Sequence, residues 1–283
     1  MRIKAITKKF GEIVVWLLLT SFVFATLGIN INFETAYGES FSSTQLYSSY
    51  QAETISFTKR EIESSKTASN VPTYFQLSEL DNSCGAVAGA IIIGFYDRYF
   101  EELIPNYSSY LAVIDRYKGN DNTYIPALMQ ELYTLMRINV DDLGVSMQDC
   151  MNGLGQYVRS KNRTFGYSSI KTSNAINENS YVASINANKP VILFNTSTEL
   201  YKISNTSSKD TLVVSTVANN HVYVGYGYVK IKYYNSSGNF RTDTYMQVAT
   251  GFSGLSSGYI RIGSTATTVS HDWSIYGYSV SIS

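Results

Sequence analysis

The spacing of apolar residues divides the chain into a first half with helical patterns and a second half with strand patterns. Cys84 to Tyr96 is apolar almost all round, which predicts a helix that begins near Ser83 and is buried in the centre of a domain. Apolar positions three and four residues apart predict a second helix over Tyr124–Met136. We expect a third helix from Ser146, as N-cap, to about Arg159.

Short β-rich segments follow Gly166, and their boundaries are set by turn-forming residues. Ser236-Ser237-Gly238-Asn239 between two of them predicts a hairpin turn. Helices followed by antiparallel strands predict an α+β domain. The segments are Pro190–Phe194, Thr211–Val217, His221–Tyr234, Phe240–Thr250, Tyr259–Ile262 and Ile275–Ile282.

The N-terminus has the parts of a secretory signal peptide. Four basic residues precede the apolar run Ile13–Leu27, and the small-residue site Ala36-Tyr37-Gly38 follows. We therefore expect residues 1–38 to be removed and the protein to be secreted or held at the cell surface, with no membrane span afterwards. An uncleaved anchor is the alternative, because extending the run through Ile31 gives nearly enough apolar length to cross a bilayer.

Residues 39–70 are Ser/Thr-rich and have little apolar periodicity, with a charged patch at Lys59–Glu63. This composition indicates a linker or a short pro-segment, and the sequence leaves both open. Val71-Pro72 favours an extended start to the folded domain, which we assign to residues 71–283.

Composition and charge limit the partners that the chain can have. Loss of residues 1–38 reduces the basic residues from 22 to 18 and the acidic residues from 22 to 20, a charge near −2. Such a charge favours neither nucleic acid nor an anionic membrane surface as a partner. The 24 tyrosines favour β-structure with a wettable surface. The sequence lacks zinc-binding and phosphate-binding motifs, so no metal or organic cofactor is predicted.

Cys84 is the candidate nucleophile. At the start of a buried helix it lies at the positive end of the helix dipole, which favours thiolate over thiol, and Asn82 or Ser83 could cap the helix. Gly85 would let the backbone approach a substrate carbonyl. Two alternatives stay open: a Cys84–Cys150 disulfide, as two cysteines in a secreted protein first indicate, and a free buried thiol.

His221 is the candidate general base for this nucleophile. Strand alternation places His221, Tyr223 and Gly225 on one face of the strand, and we expect the imidazole to point toward the helix that carries Cys84. The alternative is a half-buried strand histidine without a catalytic role.

These segments resemble the papain-like cysteine peptidases, in particular the secreted bacterial branch near the double-glycine leader peptidases and streptopain. The separation of Cys84 and His221 is in the range of roughly 130 to 150 residues found in papain-type enzymes. The resemblance spans about residues 71–250 and implies a papain-like fold, with Gln76 as a donor of the oxyanion hole. It rests on Val71–Gln76, Asn82–Ala86, Lys189–Phe194 and His221–Gly227.

The third member of the family's triad is where this sequence differs. The family would have Asn or Asp at the position that matches Thr250, near Phe252. The Thr250 hydroxyl could still accept a hydrogen bond from the imidazole, although it stabilises imidazolium less than a carboxylate does. Asp272 is a substitute if the last strand folds back on the site.

The resemblance predicts a secreted thiol peptidase that hydrolyses peptide bonds through a Cys–His acyl-enzyme mechanism, with peptide or protein substrates and no cofactor. A thiol hydrolase of cell-wall peptides or amides would use the same pair of residues. A catalytically silent surface or adhesion module of the same fold is the other alternative, because the third triad residue is replaced and the strands are rich in Tyr, Ser and Asn.

Overall fold

The computed structural model describes residues 47–49, 53–68, 71–120, 123–140, 144–172, 175–195, 198–217, 221–262 and 276–283. The chain divides into two compact units between residues 44 and 45, and all of the described residues belong to the second unit.

The helices of the described residues are α1 (Cys84–Asp97), α2 (Tyr124–Leu135), α3 (Met147–Ser160) and α4 (Glu178–Asn186). The first three confirm the helices that the apolar spacing predicts. The Ser146 hydroxyl caps α3 by accepting a hydrogen bond from the Asp149 amide at 3.0 Å. The sequence analysis missed α4, a helix of nine residues whose polar residues outnumber the apolar ones.

The strands form mainly antiparallel pairs and confirm the β-rich second half. β12 begins at His221 as predicted, and β9 and β11 lie close to their predicted bounds. They are β1 (Tyr47–Ser49), β2 (Glu53–Ser56), β3 (Lys59–Thr67), β4 (Tyr110–Leu111), β5 (Arg116–Tyr117), β6 (Phe165–Ser169), β7 (Lys171–Thr172), β8 (Ala175–Ile176), β9 (Val191–Asn195), β10 (Thr198–Asn205), β11 (Lys209–Val217), β12 (His221–Tyr234), β13 (Phe240–Phe252), β14 (Leu255–Ile262) and β15 (Tyr276–Ile282).

The large sheet joins the described strands in the order β1-β11-β10-β14-β13-β12-β9-β15-β6, with β2 paired to β11 and β3 paired to β12. Helices together with a large antiparallel sheet place the described chain in the mixed α and β class. β4 with β5, and β7 with β8, form two separate hairpin-like pairs.

Residues 53–67 lie within the sheet, although their composition indicates a linker or pro-segment. β3 pairs with β12 from Lys59↔Tyr234 to Thr67↔Gly227. Arg60 forms a 2.9 Å ion pair with the fully buried Asp210. The strands within this segment were not predicted, because Arg60 has its charged partner, Asp210, 150 residues further along the chain. Whether the segment is a linker or a pro-segment stays a prediction.

Helix α1 packs on one face of the sheet and is buried at every position after Cys84. Its apolar side chains join Val222 and Val224 of β12 in one core cluster. Tyr223, between them, belongs to a second cluster on the opposite face, with Tyr181 of α4. Strand alternation therefore separates the two clusters by the thickness of β12.

Candidate functional site

Cys84 is the first residue of α1, at the end of the helix that meets the beginning of β12. Asn82 has a left-handed backbone, with φ of 54°, and its side-chain amide donates to Asn139 Oδ1 at 2.8 Å. Ser83 is the N-cap residue, yet its side chain makes no capping hydrogen bond. Ser83 therefore occupies the expected N-cap position, but without a capping hydrogen bond from its side chain.

Gly85 serves packing in this structure, since a Cβ atom there would lie 2.6 Å from Val145 Cγ1. A larger residue would push the loop before α3 away from the first turn of α1. Glycine at this position allows the backbone to approach Val145 closely. Its expected close approach to a substrate carbonyl stays a prediction.

The Cys84 thiol is half-buried. Burial raises the pKa of the Cys84 thiol, and hydrogen bonds from the backbone amides of Val222, Gly85 and Cys84 itself lower it in part. Desolvation outweighs the donors, so the resting site holds a thiol and not the thiolate that the helix dipole predicts. The Val222 contact brings Cys84 beside the residue that follows His221.

Cys150 is a separate, fully buried thiol in α3. Cys84 and Cys150 are both free, so the structure contains no disulfide between them. Burial raises the pKa of the Cys150 thiol, and the nearby Cys84 adds to this rise. A fully desolvated thiol of this kind packs as a small apolar group.

His221 is the first residue of β12 and is only 3% exposed. Its ring stacks on Phe252, with centroids 4.4 Å apart and planes at 21°, and meets Tyr223 edge-on at 4.6 Å. Burial lowers the pKa of His221 to about 4, and the hydrogen bond to the Thr250 carbonyl opposes this shift. The imidazole is therefore neutral at pH 7.

The hydrogen bond of the imidazole determines its tautomer. His221 Nε2 lies 2.7 Å from the Thr250 carbonyl oxygen, which can only accept. Nε2 must therefore carry the proton of the neutral ring, and Nδ1 keeps its lone pair. A neutral imidazole with a free lone pair has the protonation state of a general base.

The predicted alternation is confirmed, because His221 and Tyr223 lie on one face of β12. The predicted direction is wrong, because α1 packs on the other face, against Val222 and Val224. Cys84 reaches β12 at the Val222 amide. Within the described residues, no hydrogen bond joins the thiol to the imidazole, so the resting structure holds the two groups next to one stretch of backbone without an ion pair.

Thr250 contacts His221 through its carbonyl group, whereas the sequence predicted its hydroxyl. The Thr250 hydroxyl instead donates to the Leu255 carbonyl and accepts from the Phe252 amide at 3.1 Å. These bonds hold the irregular turn between β13 and β14, where the strand register shifts. A main-chain carbonyl is thus the hydrogen-bond partner of the imidazole, and no Asn or Asp side chain has that role within the described residues.

Gln76 lies beside the same turn. Its backbone amide donates to the Gly251 carbonyl at 2.9 Å, next to Thr250. Its side chain is half-buried, and its carboxamide has no hydrogen bond within the described part of the chain. The structure therefore brings Gln76, Thr250 and His221 together. Asp272 lies outside the described residues.

Asn195 is a residue of this site that the sequence analysis missed. It ends β9, is buried, and lies directly opposite His221 in the antiparallel register. Directly opposed residues point to the same face, with Cβ atoms about 4.5–5.5 Å apart. A polar residue at the end of the apolar run Val191–Phe194 was the available signal.

No protein-family model matches the chain, and no curated protein is similar enough to count as a relative. None of the described helices is long and apolar enough to cross a membrane. The described residues also contain no group of three His, Cys, Asp or Glu side chains that could hold a metal ion.

Proposed function

We propose that the protein is an exported thiol peptidase, in which Cys84 attacks a peptide carbonyl and His221 moves the proton. The observation that carries this proposal is the Nε2 hydrogen bond of His221 to the Thr250 carbonyl, since it leaves Nδ1 unprotonated on the residue that precedes Val222, whose amide contacts Cys84. We propose, together with this function, that the fold is papain-like.

The resting pair is neutral, so the proton must move during attack. The Cys84 S–H bond breaks as sulfur bonds to the carbonyl carbon, and the proton passes to His221 Nδ1 once the imidazole, which rests on the opposite face of β12, has turned toward Cys84. The backbone amides of Val222, Gly85 and Cys84, which lower the thiol pKa in the resting site, can stabilise the negative charge that develops during attack. The Gln76 carboxamide would be a further donor. His221 then protonates the leaving amine, and water hydrolyses the thioester.

A catalytically silent module is the second candidate, and a specific observation favours it. Burial raises the pKa of Cys84 and lowers the pKa of His221, which are the directions opposite to those of a stable thiolate–imidazolium pair. Such a module would show no turnover on any peptide.

Alkylation of Cys84 separates the two candidates. We expect iodoacetamide labelling of Cys84, read by mass spectrometry, to fall at least tenfold at pH 7 in His221→Ala, with buried Cys150 as the unreactive internal control. Hydrolysis of a casein-type substrate should be lost in Cys84→Ser and in His221→Ala. Equal labelling with and without His221, together with no hydrolysis, would establish the silent module, and cleavage of peptidoglycan peptides alone would establish the cell-wall hydrolase.

A further inference from the structure

A cavity of about 350 Å³ is lined by described residues that include neither Cys84 nor His221. Its walls come from β3 and β10, and its floor from β12, β13 and β14. The volume is within the range of small-ligand sites, roughly 300 to 1,000 Å³. None of the residues assigned to the candidate thiol site lines it.

The lining of the cavity follows β3 over most of the length of that strand. Its lining residues on β3 run from Arg60 to Thr67, which at roughly 3.3 Å per residue is about 23 Å of strand. A volume of this size spread over such a length suits an extended chain better than a compact molecule.

The cavity is close to neutral. Arg60 is the one charged residue among the described residues of its lining, and its Nε is paired with Asp210 Oδ2, which also accepts from Tyr233 at 2.5 Å. Because Asp210 is fully buried, it balances the guanidinium charge at close range. An ionic ligand would lose its hydration here without gaining a counter-charge, so a neutral ligand is favoured.

The lining combines an apolar floor with polar side chains. Ile231 is fully buried at the floor, while Ile62 on the wall is 52% exposed. Asn205 and Tyr259 offer amide and hydroxyl groups beside them. Burial raises the pKa of Tyr259, which keeps its hydroxyl as a neutral donor.

Within the part of the chain that the structure describes, the rim of the cavity along β3 is an unpaired strand edge. β3 pairs with β12 on one side, and no other described strand pairs with β3. The backbone groups of an unpaired edge alternate between donors and acceptors, which match a second extended backbone.

We propose that this cavity binds a neutral, extended peptide segment, which adds to the edge of β3 and places apolar side chains on the exposed Ile62. The peptide amides would take hydrogen bonds from the β3 backbone and from Asn205. The proposal is independent of the chemistry at Cys84, and the same site would function in an enzyme or in a silent module.

The test is calorimetric titration of the full-length chain carrying Cys84→Ser, so that no probe is consumed. The probe is a capped, uncharged octapeptide of alternating Thr and Val. We expect a dissociation constant below about 100 μM and at least tenfold weaker binding in Ile62→Glu, because a carboxylate would face an apolar and neutral lining. The matched control is Phe240→Ser, an exposed apolar residue outside the cavity (55% exposed), which should bind as the parent does.

Circular dichroism establishes that each variant is folded, and Asn205→Ala, at an exposed position, provides a second variant that should weaken binding at least threefold. Binding that is undetectable at 1 mM peptide would overturn the proposal. Equal affinity in the parent, Ile62→Glu and Asn205→Ala would also overturn it, since the peptide would then occupy another surface. Binding of an uncharged hexasaccharide in place of the peptide would assign the cavity to a saccharide.

Discussion

The burial of His221 predicts how stability depends on pH. The pKa of His221 is about 4 in the folded chain, against an ordinary value of 6.5. A histidine whose pKa is lowered by folding stabilises the protein fully above its unfolded pKa. This stabilisation is lost as the pH falls from about 6.5 toward 4, because the unfolded chain binds the proton first.

The magnitude follows from the two pKa values. Between pH 7 and pH 4.5, linkage removes about 2 kcal/mol of the free energy of unfolding through this one residue. The matched variant is His221→Gln, because the glutamine side-chain amide can still donate to the Thr250 carbonyl and does not titrate. All other titrating groups are common to the two proteins and cancel in the difference.

The assay is urea unfolding at both pH values, followed by circular dichroism. We expect the parent to lose about 2 kcal/mol more than His221→Gln between pH 7 and pH 4.5. An extra loss below about 1 kcal/mol would refute the reasoning, since the ring would then be solvated, and the neutral tautomer on which the proposed mechanism depends would no longer be forced by burial.

Two further predictions concern the sheet and the ring stack. Arg60→Met should lower the free energy of unfolding, measured in urea, by about 3–5 kcal/mol, because it leaves the buried Asp210 without its cation. Lys59→Met, at an exposed surface pair, should lower it by less than about 1 kcal/mol. Equal losses would mean that β3 is the loose linker its composition indicates. Phe252→Ala should expose the His221 ring and raise its pKa toward 6.5 in an NMR titration, and a pKa that stays near 4 would show that Phe252 does not cause the desolvation.

Local patterns in the sequence predicted the elements that carry the candidate site. The apolar run after Cys84 predicts a helix buried on all sides, and α1 confirms it. The alternation after His221 predicts a strand, and β12 begins at that residue. Both predictions depend on periodicities of 3.6 and 2 residues, which near neighbours in the chain express by themselves.

The sequence did not predict the elements whose stabilising partners lie far away along the chain. β3 reads as a charged, solvated segment because Arg60 finds its buried partner, Asp210, only when β11 lies alongside. α4 has a weak apolar pattern, and it is positioned by Tyr181, whose hydroxyl donates to the Gly227 carbonyl at 2.9 Å. The local pattern of apolar and polar residues carries no information on contacts between segments that are far apart in the chain.

The sequence by itself determined that one cysteine would begin a buried helix and one histidine would begin a strand. Only the tertiary structure decided how those groups are charged and oriented: Cys84 as a thiol, His221 as a neutral ring on the face opposite α1, and a Thr250 carbonyl in place of a side-chain acceptor. The physical reason is that a pKa depends on desolvation and on hydrogen-bond partners, and in this site those partners come from segments far apart in the chain.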